Sequence, residues 1–167
     1  AHEFEDAAGF GWSVGEPRFD WTTLIANKDR EIDRLERVYR TNLEKAGVEI
    51  VESRAVIEDP HTVRIVRTGA RIRAGRILVA VGAHPTLEPP IPGGEHGITS
   101  NEVFYLDRLP ERILVVGGGY IAVEFAGVFA GLGSAVTLLH RGEKLLRGFD
   151  EDLRDGLAEA YAKQGVT

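Results

Sequence analysis

The stretch "RILVVGGGYIAVEFAG", Arg112–Gly127, places three consecutive glycines between a short apolar run and a pattern typical of a helix. The apolar run predicts a buried strand over residues 112–117, and the residues after the glycines predict a helix over 120–132. A second strand is predicted over 135–140 and a second helix over 150–164. This order of elements predicts an α/β fold in which a βαβα run begins a doubly wound parallel sheet.

The glycines match a fingerprint for dinucleotide binding, Gly117-x-Gly119-x-x-Ala122. The first glycine permits a tight turn, the second lets a pyrophosphate approach the backbone, and a small third residue packs helix against strand. The free N–H groups at the helix N-terminus attract the phosphates. The alternative is that the glycines only turn a strand-to-helix corner. The strand before them and the helix after them favour the dinucleotide site.

The end of the second strand indicates which dinucleotide is bound. NAD-binding proteins usually carry an acid there, which accepts a hydrogen bond from the ribose 2′-hydroxyl. Leu139, His140 and Arg141 occupy that place, and Arg147 follows six residues later. Two guanidinium groups match the geometry of a phosphate, so the sequence favours NADP over NAD. The alternative is that the bases of residues 140–147 are ordinary surface charges beside neighbouring acids.

Composition excludes several other functions. The chain has 167 residues, 43% hydrophobic and 28% charged, and its net charge of -6 argues against nucleic acid or an acidic membrane as the main partner. No apolar run approaches the roughly 18 residues of a membrane span, and no signal-peptide pattern opens the chain, so we expect a cytoplasmic protein. The absence of cysteine excludes disulfides and thiolate metal sites within it. Nor do the scattered histidines have ligand spacing: His2, His61, His84, His96 and His140.

The first part of the chain predicts a loop and then one long helix. Residues 1–19 contain several glycines and a proline, which predict a loop. Asp20 is a suitable N-cap for a helix that Gly47 ends. An apolar stripe at helical spacing runs along it: Ile25, Ile32, Leu35, Tyr39, Leu43 and Ala46.

The middle of the chain predicts strands and then a linker. Three extended segments are predicted at residues 48–58, 62–67 and 76–83. The first two alternate and indicate an antiparallel meander, whereas the third is a continuous apolar run typical of a strand buried on both faces. The proline-rich segment 83–97 predicts an extended linker without helix. Thr99 and Glu102 have the spacing of a capping box at the start of a short helix.

Three stretches together resemble the glutathione reductases, within the flavoprotein disulfide reductase family. "GGGYIAVEFAG…GLGSAVTLLHRGEKLLRGFD" resembles their NADPH domain. "RILVAVGAHPTLEPPIPG…TSNEVFYLDRLPERILVVGGG" resembles the segment that joins the FAD domain to it, and "FDWTTLIANKDREIDRLERVYRTNLEKAGVEIVESRAVI" resembles the long helix and meander of the FAD domain.

The resemblance covers essentially the whole chain and implies its domain organisation. It implies a partial FAD-binding domain at residues 1–83 and a linker with a short helix at 84–110. It further implies a partial Rossmann-like NADP-binding domain at 111–167. Together with the absence of methionine, it predicts an internal piece of a longer protein.

The resemblance also assigns residues to the two cofactors, NADP and FAD. Those that would line the pyrophosphate and ribose of NADP are Gly117, Gly118, Gly119, Ile121 and Ala122. Arg141 and Arg147 would hold its 2′-phosphate, Tyr120 would be a gate over the flavin, and Glu124 would pair with a lysine outside this segment. Ala55 would contact the FAD adenine through its backbone, with Val81 and Gly82 also beside FAD. The family reads Ala-Thr-Gly where this chain has Ala-Val-Gly, so one hydroxyl is missing.

The substrate implied by the resemblance is glutathione disulfide, contacted by Val38, Tyr39 and Asn42. From spacing alone, Tyr39 would be a core residue and Asn42 a surface residue. The family passes a hydride from NADPH to flavin, then to a redox disulfide and then to the substrate, in a homodimer. The first FAD fingerprint, the Cys-x4-Cys pair and the dimerisation domain are absent from this chain. We therefore predict no catalytic residue within it and no activity for the isolated chain.

Two alternatives remain open from the sequence. The first is a related disulfide reductase, such as dihydrolipoamide dehydrogenase or mercuric reductase. The former usually has an acid at the end of the second strand and prefers NAD, in contrast to His140 and Arg141 here. The second is an NADP-binding flavoprotein without disulfide chemistry, such as a flavin monooxygenase.

Overall fold

The computed structural model describes residues 2–87 and 90–167, which form two compact units. One unit comprises the described residues up to Ala26 together with Pro92–Thr167, and the other comprises those of Asn27–Ile91. Glu88 and Pro89, which belong to the predicted linker, lie outside the described residues. Both units combine helix and strand, so the α/β class predicted from the sequence is confirmed.

The first unit contains the predicted βαβα run. It consists of β4 (Arg112–Val116), α4 (Tyr120–Gly131), β5 (Ala135–Leu139) and α5 (Glu151–Lys163). The two strands pair in parallel, with Ile113 opposite Val136 and Val116 opposite Leu139. Because parallel neighbours need a crossover connection, α4 lies between them in the chain and packs on their sheet. Both strands therefore end at the same edge of the sheet.

The core of this unit is formed between α4 and the sheet. Ala126 and Phe129 are fully buried, and Val136 of β5 is 3% exposed. Trp21 stacks on Phe129 with ring centroids 6.2 Å apart, and its indole Nε1 donates a hydrogen bond of 2.7 Å to the Leu106 carbonyl. Through its stacking on the buried Phe129 and its bond to Leu106, the partly buried Trp21 links the segment before β4 to the helix that follows the glycines.

β4 is less buried than its apolar sequence predicts. Its residues alternate between exposed and half-buried, and Leu114 and Val116 are exposed. The described sheet has two strands, and α4 packs on it. Because a strand buried on both faces needs a second covering layer, the expectation of a fully buried strand is wrong for the described structure.

The ends of the elements follow the predicted capping signals. α3 (Ser100–Val103) begins with the predicted capping box, in which Thr99 and Glu102 satisfy each other's backbone N–H groups. Asp150 caps α5 by accepting a 3.0 Å hydrogen bond from the Asp152 N–H. After α5, Thr167 donates its N–H to the Val136 carbonyl at 3.1 Å, so the chain beyond Gly165 runs beside β5.

The long helix α2 (Trp21–Lys45) also forms as predicted. Asp20 accepts a 2.6 Å hydrogen bond from the Thr23 N–H, and Gly47 ends the helix with a φ of 77°. Its apolar stripe is less buried than expected: Ile32, Tyr39 and Leu43 are exposed. No residue of α2 is buried.

The second unit contains an antiparallel meander of three strands. They are β1 (Ala55–Asp59), β2 (Thr62–Ile65) and β3 (Arg71–Arg73). The pairing of the first two was predicted, but β1 starts seven residues later than expected. The ladder begins where Ala55 faces Ile65, and residues 48–54 are not in a strand, although the Arg54 carbonyl accepts a hydrogen bond from the Val66 N–H. β3 was not predicted, because its flanking arginines concealed a short alternating strand.

Three further expectations are wrong. Residues 76–83 form no strand, and Leu78 and Val81 are 90% and 87% exposed, because an apolar run becomes a strand only where other strands pair with it. Residues 1–19 contain α1 (His2–Asp6) and a 3-10 helix at Ala7–Phe10, since the first glycine comes only at position 9. The linker contains a 3-10 turn at Gly94–His96.

Candidate functional site

The glycine loop connects the end of β4 to α4 and is hydrogen-bonded to the end of β5. Gly117 has a φ of 143°, which residues with a side chain rarely adopt. Its N–H donates to the Leu139 carbonyl at 2.9 Å. A Cβ on Gly117 would stand 3.3 Å from the Ala122 Cβ, so the helix and the strand approach here as closely as small residues allow. The first and third positions of the fingerprint therefore have the contacts that their small size predicts.

The second fingerprint glycine leaves the start of α4 open. Gly119 is the N-cap of the helix, and a Cβ added to it would meet no described atom within 4 Å. No side chain caps the helix, and the first intrahelical bond is donated by the Val123 N–H. The preceding N–H groups of the helix are thus available to an outside acceptor. Tyr120 and Ile121, both exposed, flank this opening.

The loop after β5 folds against the glycine loop. A Cβ on Gly118 would stand 3.3 Å from the His140 Cβ and 3.4 Å from its ring. The N–H of Leu146 donates to the Gly118 carbonyl at 2.7 Å. His140 Nδ1 accepts a hydrogen bond of 3.2 Å from the Gly142 N–H. The segment 140–149 is therefore held beside the glycines by backbone contacts and by the histidine ring.

The three long basic side chains of this segment differ in their surroundings. Arg141 and Arg147 are exposed and form no ion pair or side-chain hydrogen bond with any described residue. Lys144 instead pairs with Asp155 at 2.7 Å and with Glu151 at 3.0 Å. Hydrogen bonds, first to Asp155 and then to Glu151, raise the pKa of Lys144 above its usual value. Within the described structure, the two arginines remain available to an anion and the lysine does not.

Arg154 of α5 also holds this segment, a role that was not predicted from the sequence. Its side chain is only 14% exposed. It donates from Nε to the Leu145 carbonyl at 2.7 Å and from Nη2 to the Lys144 carbonyl at 3.2 Å, and it pairs with Glu151. Hydrogen bonds, first from Lys144 and then from Arg154, lower the pKa of Glu151. The sequence signal was the Glu-Arg spacing of three within a helix, which indicates the pair but not the two carbonyls.

Two further residues assigned to the cofactor sites, Ala122 and Glu124, also lie on α4. Glu124 is exposed, whereas Ala122 is half-buried against the strand. The structure therefore brings the glycines, the start of α4 and the segment 140–149 together in the first unit.

The residues assigned to FAD and to the substrate lie in the second unit. Ala55 opens β1, Val81 is exposed, and Gly82 has a φ of 71°. Val38, Tyr39 and Asn42 are exposed on α2, so Tyr39 is a surface residue and not the core residue that spacing alone indicates. Tyr39 also lines a shallow open pocket with Leu43 and Ile50.

Neither a metal site nor a membrane-spanning helix is found among the described residues. No cluster of three or more of their His, Cys, Asp or Glu side chains has an arrangement that could hold a metal ion. None of the helices in the described part combines the length and the apolar character that crossing a membrane requires.

Comparison with known proteins agrees with this geometry. The family model of the pyridine nucleotide-disulphide oxidoreductases matches residues 2–167. A glutathione reductase from Nostoc sp. is 47% identical over 163 residues, which are 98% of this chain and 35% of that protein. A glutathione reductase from Burkholderia cepacia is 52% identical over 163 residues, 98% of this chain and 36% of that protein. The chain thus spans about a third of the length of these curated relatives.

Solved structures show the same likeness. The HOCl-induced flavoprotein disulfide reductase RclA from Escherichia coli superposes with a TM-score of 0.77 and 30% sequence identity. The match covers 89% of this chain and 34% of the other. A Cu(II) complex of the same protein superposes with a TM-score of 0.78. The chain therefore belongs to the pyridine nucleotide-disulphide oxidoreductase family.

Proposed function

We propose that this chain is the central part of an NADPH-dependent FAD disulfide oxidoreductase that reduces glutathione disulfide. The observation that carries the proposal is that Arg141 and Arg147 have no ion-pair partner among the described residues and lie in a segment held against the glycine loop. The glutathione reductases of Nostoc sp. and Burkholderia cepacia are 47% and 52% identical in sequence to this chain, which supports the proposed reaction. Below, "the complete protein" means the longer protein to which the chain belongs under this proposal.

The first unit fits a dinucleotide. The open side of Gly119 leaves room for a pyrophosphate, and the available N–H groups at the start of α4 would donate to it. Gly117, Gly118, Ile121 and Ala122 would line the pyrophosphate and ribose. Arg141 and Arg147 would bind the 2′-phosphate. NADPH supplies a hydride when it is bound, and Tyr120 would cover the flavin until the nicotinamide displaces it.

The second unit would contribute to binding FAD and the substrate. The backbone of Ala55 would contact the adenine, and Val81 and Gly82 would lie beside FAD. The exposed apolar segment that contains Val81 supports this assignment, because a bound partner would cover it. Val38, Tyr39 and Asn42 would contact glutathione disulfide. Their exposure on α2 leaves them accessible to it.

The domain organisation and the assembly are part of the same proposal. Residues 1–83 would belong to an FAD-binding domain, 84–110 to a linker, and 111–167 to an NADP-binding domain. Glu124 would pair with a lysine elsewhere in the complete protein, which would be a cytoplasmic homodimer. The chain itself contains no cysteine, so the isolated chain would transfer no electrons to a disulfide.

The cofactor assignment is tested by replacing Arg141 and Arg147 with leucine in the complete protein. If a hydrogen bond to a charged group contributes roughly 1.5–3 kcal/mol, the double variant should raise the KM for NADPH on the order of 10²–10⁴-fold. The KM for NADH should stay within about twofold. Arg112→Leu, at the opposite end of β4, is the matched control. An unchanged KM for NADPH in the double variant would refute the phosphate site.

The substrate assignment is tested by comparing glutathione disulfide with lipoamide. The complete protein should have the higher kcat/KM for glutathione disulfide, and Asn42→Ala should lower it. A preference for lipoamide would favour the dihydrolipoamide dehydrogenase alternative. Failure with both, together with retained NADPH oxidation, would favour a flavoprotein without disulfide chemistry.

A further inference from the structure

The segment between β5 and α5 carries two charges that would bind phosphate, yet acids follow it closely. Glu151, Asp152 and Asp155 lie in the first turns of α5. Side chains of opposite charge so near in the sequence ordinarily pair with one another. Arg141 and Arg147 nevertheless have no partner among the described residues, so something else engages these acids.

Lys144 and Arg154 engage two of these acids, Glu151 and Asp155. Lys144 bridges Glu151 and Asp155, and Arg154 pairs with the same Glu151. Hydrogen bonds from Lys144 and then from Arg154 lower the pKa of Glu151. Two cations thus neutralise Glu151 and Asp155, two of the three acids near the start of α5 that would compete for the arginines.

Arg154 also fixes the path of the backbone. Its guanidinium binds the carbonyls of Lys144 and Leu145, and Leu145 is buried. The next residue, Leu146, has a φ of 52° and is the one described non-glycine residue with positive φ. A residue with a side chain stays in that conformation only where its surroundings hold it. Arg154 on one side and the Gly118 carbonyl on the other provide that hold, immediately before Arg147.

We propose that Arg154 and Lys144 are positioning residues for NADP selectivity, which hold the segment 140–149 and keep Arg141 and Arg147 free for the 2′-phosphate; together they are called the clamp below. This inference rests on the proposed NADP site and adds two residues that do not touch the cofactor. Of the four long basic side chains of the region, Arg141 and Arg147 would bind the 2′-phosphate, and Lys144 and Arg154 would hold these two arginines in position. The adenosine and pyrophosphate, which NAD shares with NADP, would be bound elsewhere, so binding of NAD should not depend on the clamp.

The test measures dissociation constants for NADP⁺ and NAD⁺ by titration calorimetry on the complete protein. Arg154→Gln should weaken NADP⁺ binding about 10-fold or more, equivalent to the loss of one charged hydrogen bond or more, and should change NAD⁺ binding by less than about twofold. Arg154→Lys, which keeps the charge but not the fork to two carbonyls, should recover part of the loss. Lys163→Gln removes a positive charge from the far end of α5 and should leave both constants unchanged.

The results separate this inference from the proposed function. If wild type prefers NADP⁺, and Arg141→Leu weakens it while Arg154→Gln does not, the clamp is refuted and the NADP site stands. If wild type shows no preference for NADP⁺, the proposed function fails and the clamp with it. A parallel loss of both dinucleotides in an Arg154→Gln variant with a thermal midpoint close to that of wild type would refute the clamp, because the effect would not be selective for the 2′-phosphate. If Lys163→Gln weakened NADP⁺ binding as much as Arg154→Gln, the effect would come from net charge and not from the position of Arg154, and the clamp would be refuted.

A second readout covers a variant that folds poorly. Lys144→Gln leaves the two carbonyl contacts of Arg154 in place but frees Asp155 and weakens the hold on Glu151. It should weaken NADP⁺ selectively, and amide hydrogen exchange of residues 140–149 should remain close to that of wild type. In Arg154→Lys the same amides should exchange faster. Unchanged NADP⁺ binding in Lys144→Gln and Arg154→Lys together would refute the proposal.

Discussion

Gly118 and His140 lie so close together that a methyl group added to Gly118 would fit only if His140 shifted by a few tenths of an ångström. A Cβ on Gly118 would be 3.3 Å from the Cβ of His140 and 3.4 Å from its Nδ1. The same Nδ1 accepts the Gly142 N–H and so shapes the turn that contains Arg141. The middle glycine of the triplet, which the fingerprint leaves unspecified, is therefore favoured by its contact with the neighbouring segment.

Gly118→Ala should consequently disturb the segment 140–149 more than the glycine loop itself. The methyl group would displace the His140 ring, and with it the turn before Arg147. In the complete protein, we expect the KM for NADPH to rise about 10-fold, with a smaller rise for NADH. Equal kinetic effects on the two dinucleotides would contradict this expectation. The single variant His140→Ala is a suitable comparison, because it removes the imidazole ring and leaves Gly118 unchanged.

Gly119→Ala should weaken the binding of both dinucleotides, in contrast to Gly118→Ala. Its backbone is extended, with a φ of -87°, and no described atom stands within 4 Å of the added Cβ. The variant should therefore fold with a thermal midpoint close to that of wild type. The methyl group would point into the space that a pyrophosphate needs, so NADPH and NADH should both bind about 10-fold more weakly or worse. Calorimetric titration with both dinucleotides would measure this, and wild-type affinity for either would count against the proposed pyrophosphate position.

Gly127 and Tyr161 allow a double-mutant cycle that tests the packing of α5 on α4. A Cβ on Gly127 would stand 3.0 Å from the Tyr161 hydroxyl, which donates a 2.5 Å hydrogen bond to the Val123 carbonyl. Gly127→Ala should destabilise wild type despite the higher helix propensity of alanine. In the Tyr161→Phe background, the same change should be neutral or stabilise by up to about 1 kcal/mol. Urea unfolding of the four proteins measures the coupling, and additive effects would disprove the contact.

Alkaline pH should weaken the same contact. Burial raises the pKa of the Tyr161 hydroxyl above its usual value of 10.0. A group whose pKa is raised on folding stabilises the fold fully below its unfolded pKa, and this stabilisation is lost as the pH rises through the folded value. The difference in free energy of unfolding between wild type and Tyr161→Phe should be constant up to about pH 9 and decrease above about pH 10. A difference that stays constant to about pH 11 would show that the hydroxyl titrates normally.

The sequence predicted best where a signal was local. Several features that depend on a few neighbouring residues are found in the structure as predicted. They are the turn at the glycine triplet, the caps formed by Thr99 and Asp20, and the strands on either side of α4. The closure of α2 at Gly47 is a further example. Such signals work because a cap or a tight turn is satisfied within a few residues of the chain.

Predictions that depended on distant partners were less accurate. The apolar run 76–83 has the composition of a buried strand, but the described residues provide nothing that pairs with it. Arg154 was missed for the same reason, because its role depends on carbonyls nine and ten residues away. Its sequence context, near the start of a helix, indicates only a surface ion pair. The assignments to FAD and to the substrate came from family resemblance and could not be derived from spacing.

The bond from the Gly117 N–H to the Leu139 carbonyl has a consequence for protein engineering. It ends the parallel ladder immediately before the basic segment, so the glycine loop and residues 140–155 meet at one fixed junction. Introducing only Arg141 and Arg147 into an NAD-dependent relative would add the two charges without the contacts of Lys144 and Arg154 that hold the segment. A cassette of residues 140–155, with a glycine retained opposite the histidine, is the smallest unit whose exchange we expect to transfer cofactor preference.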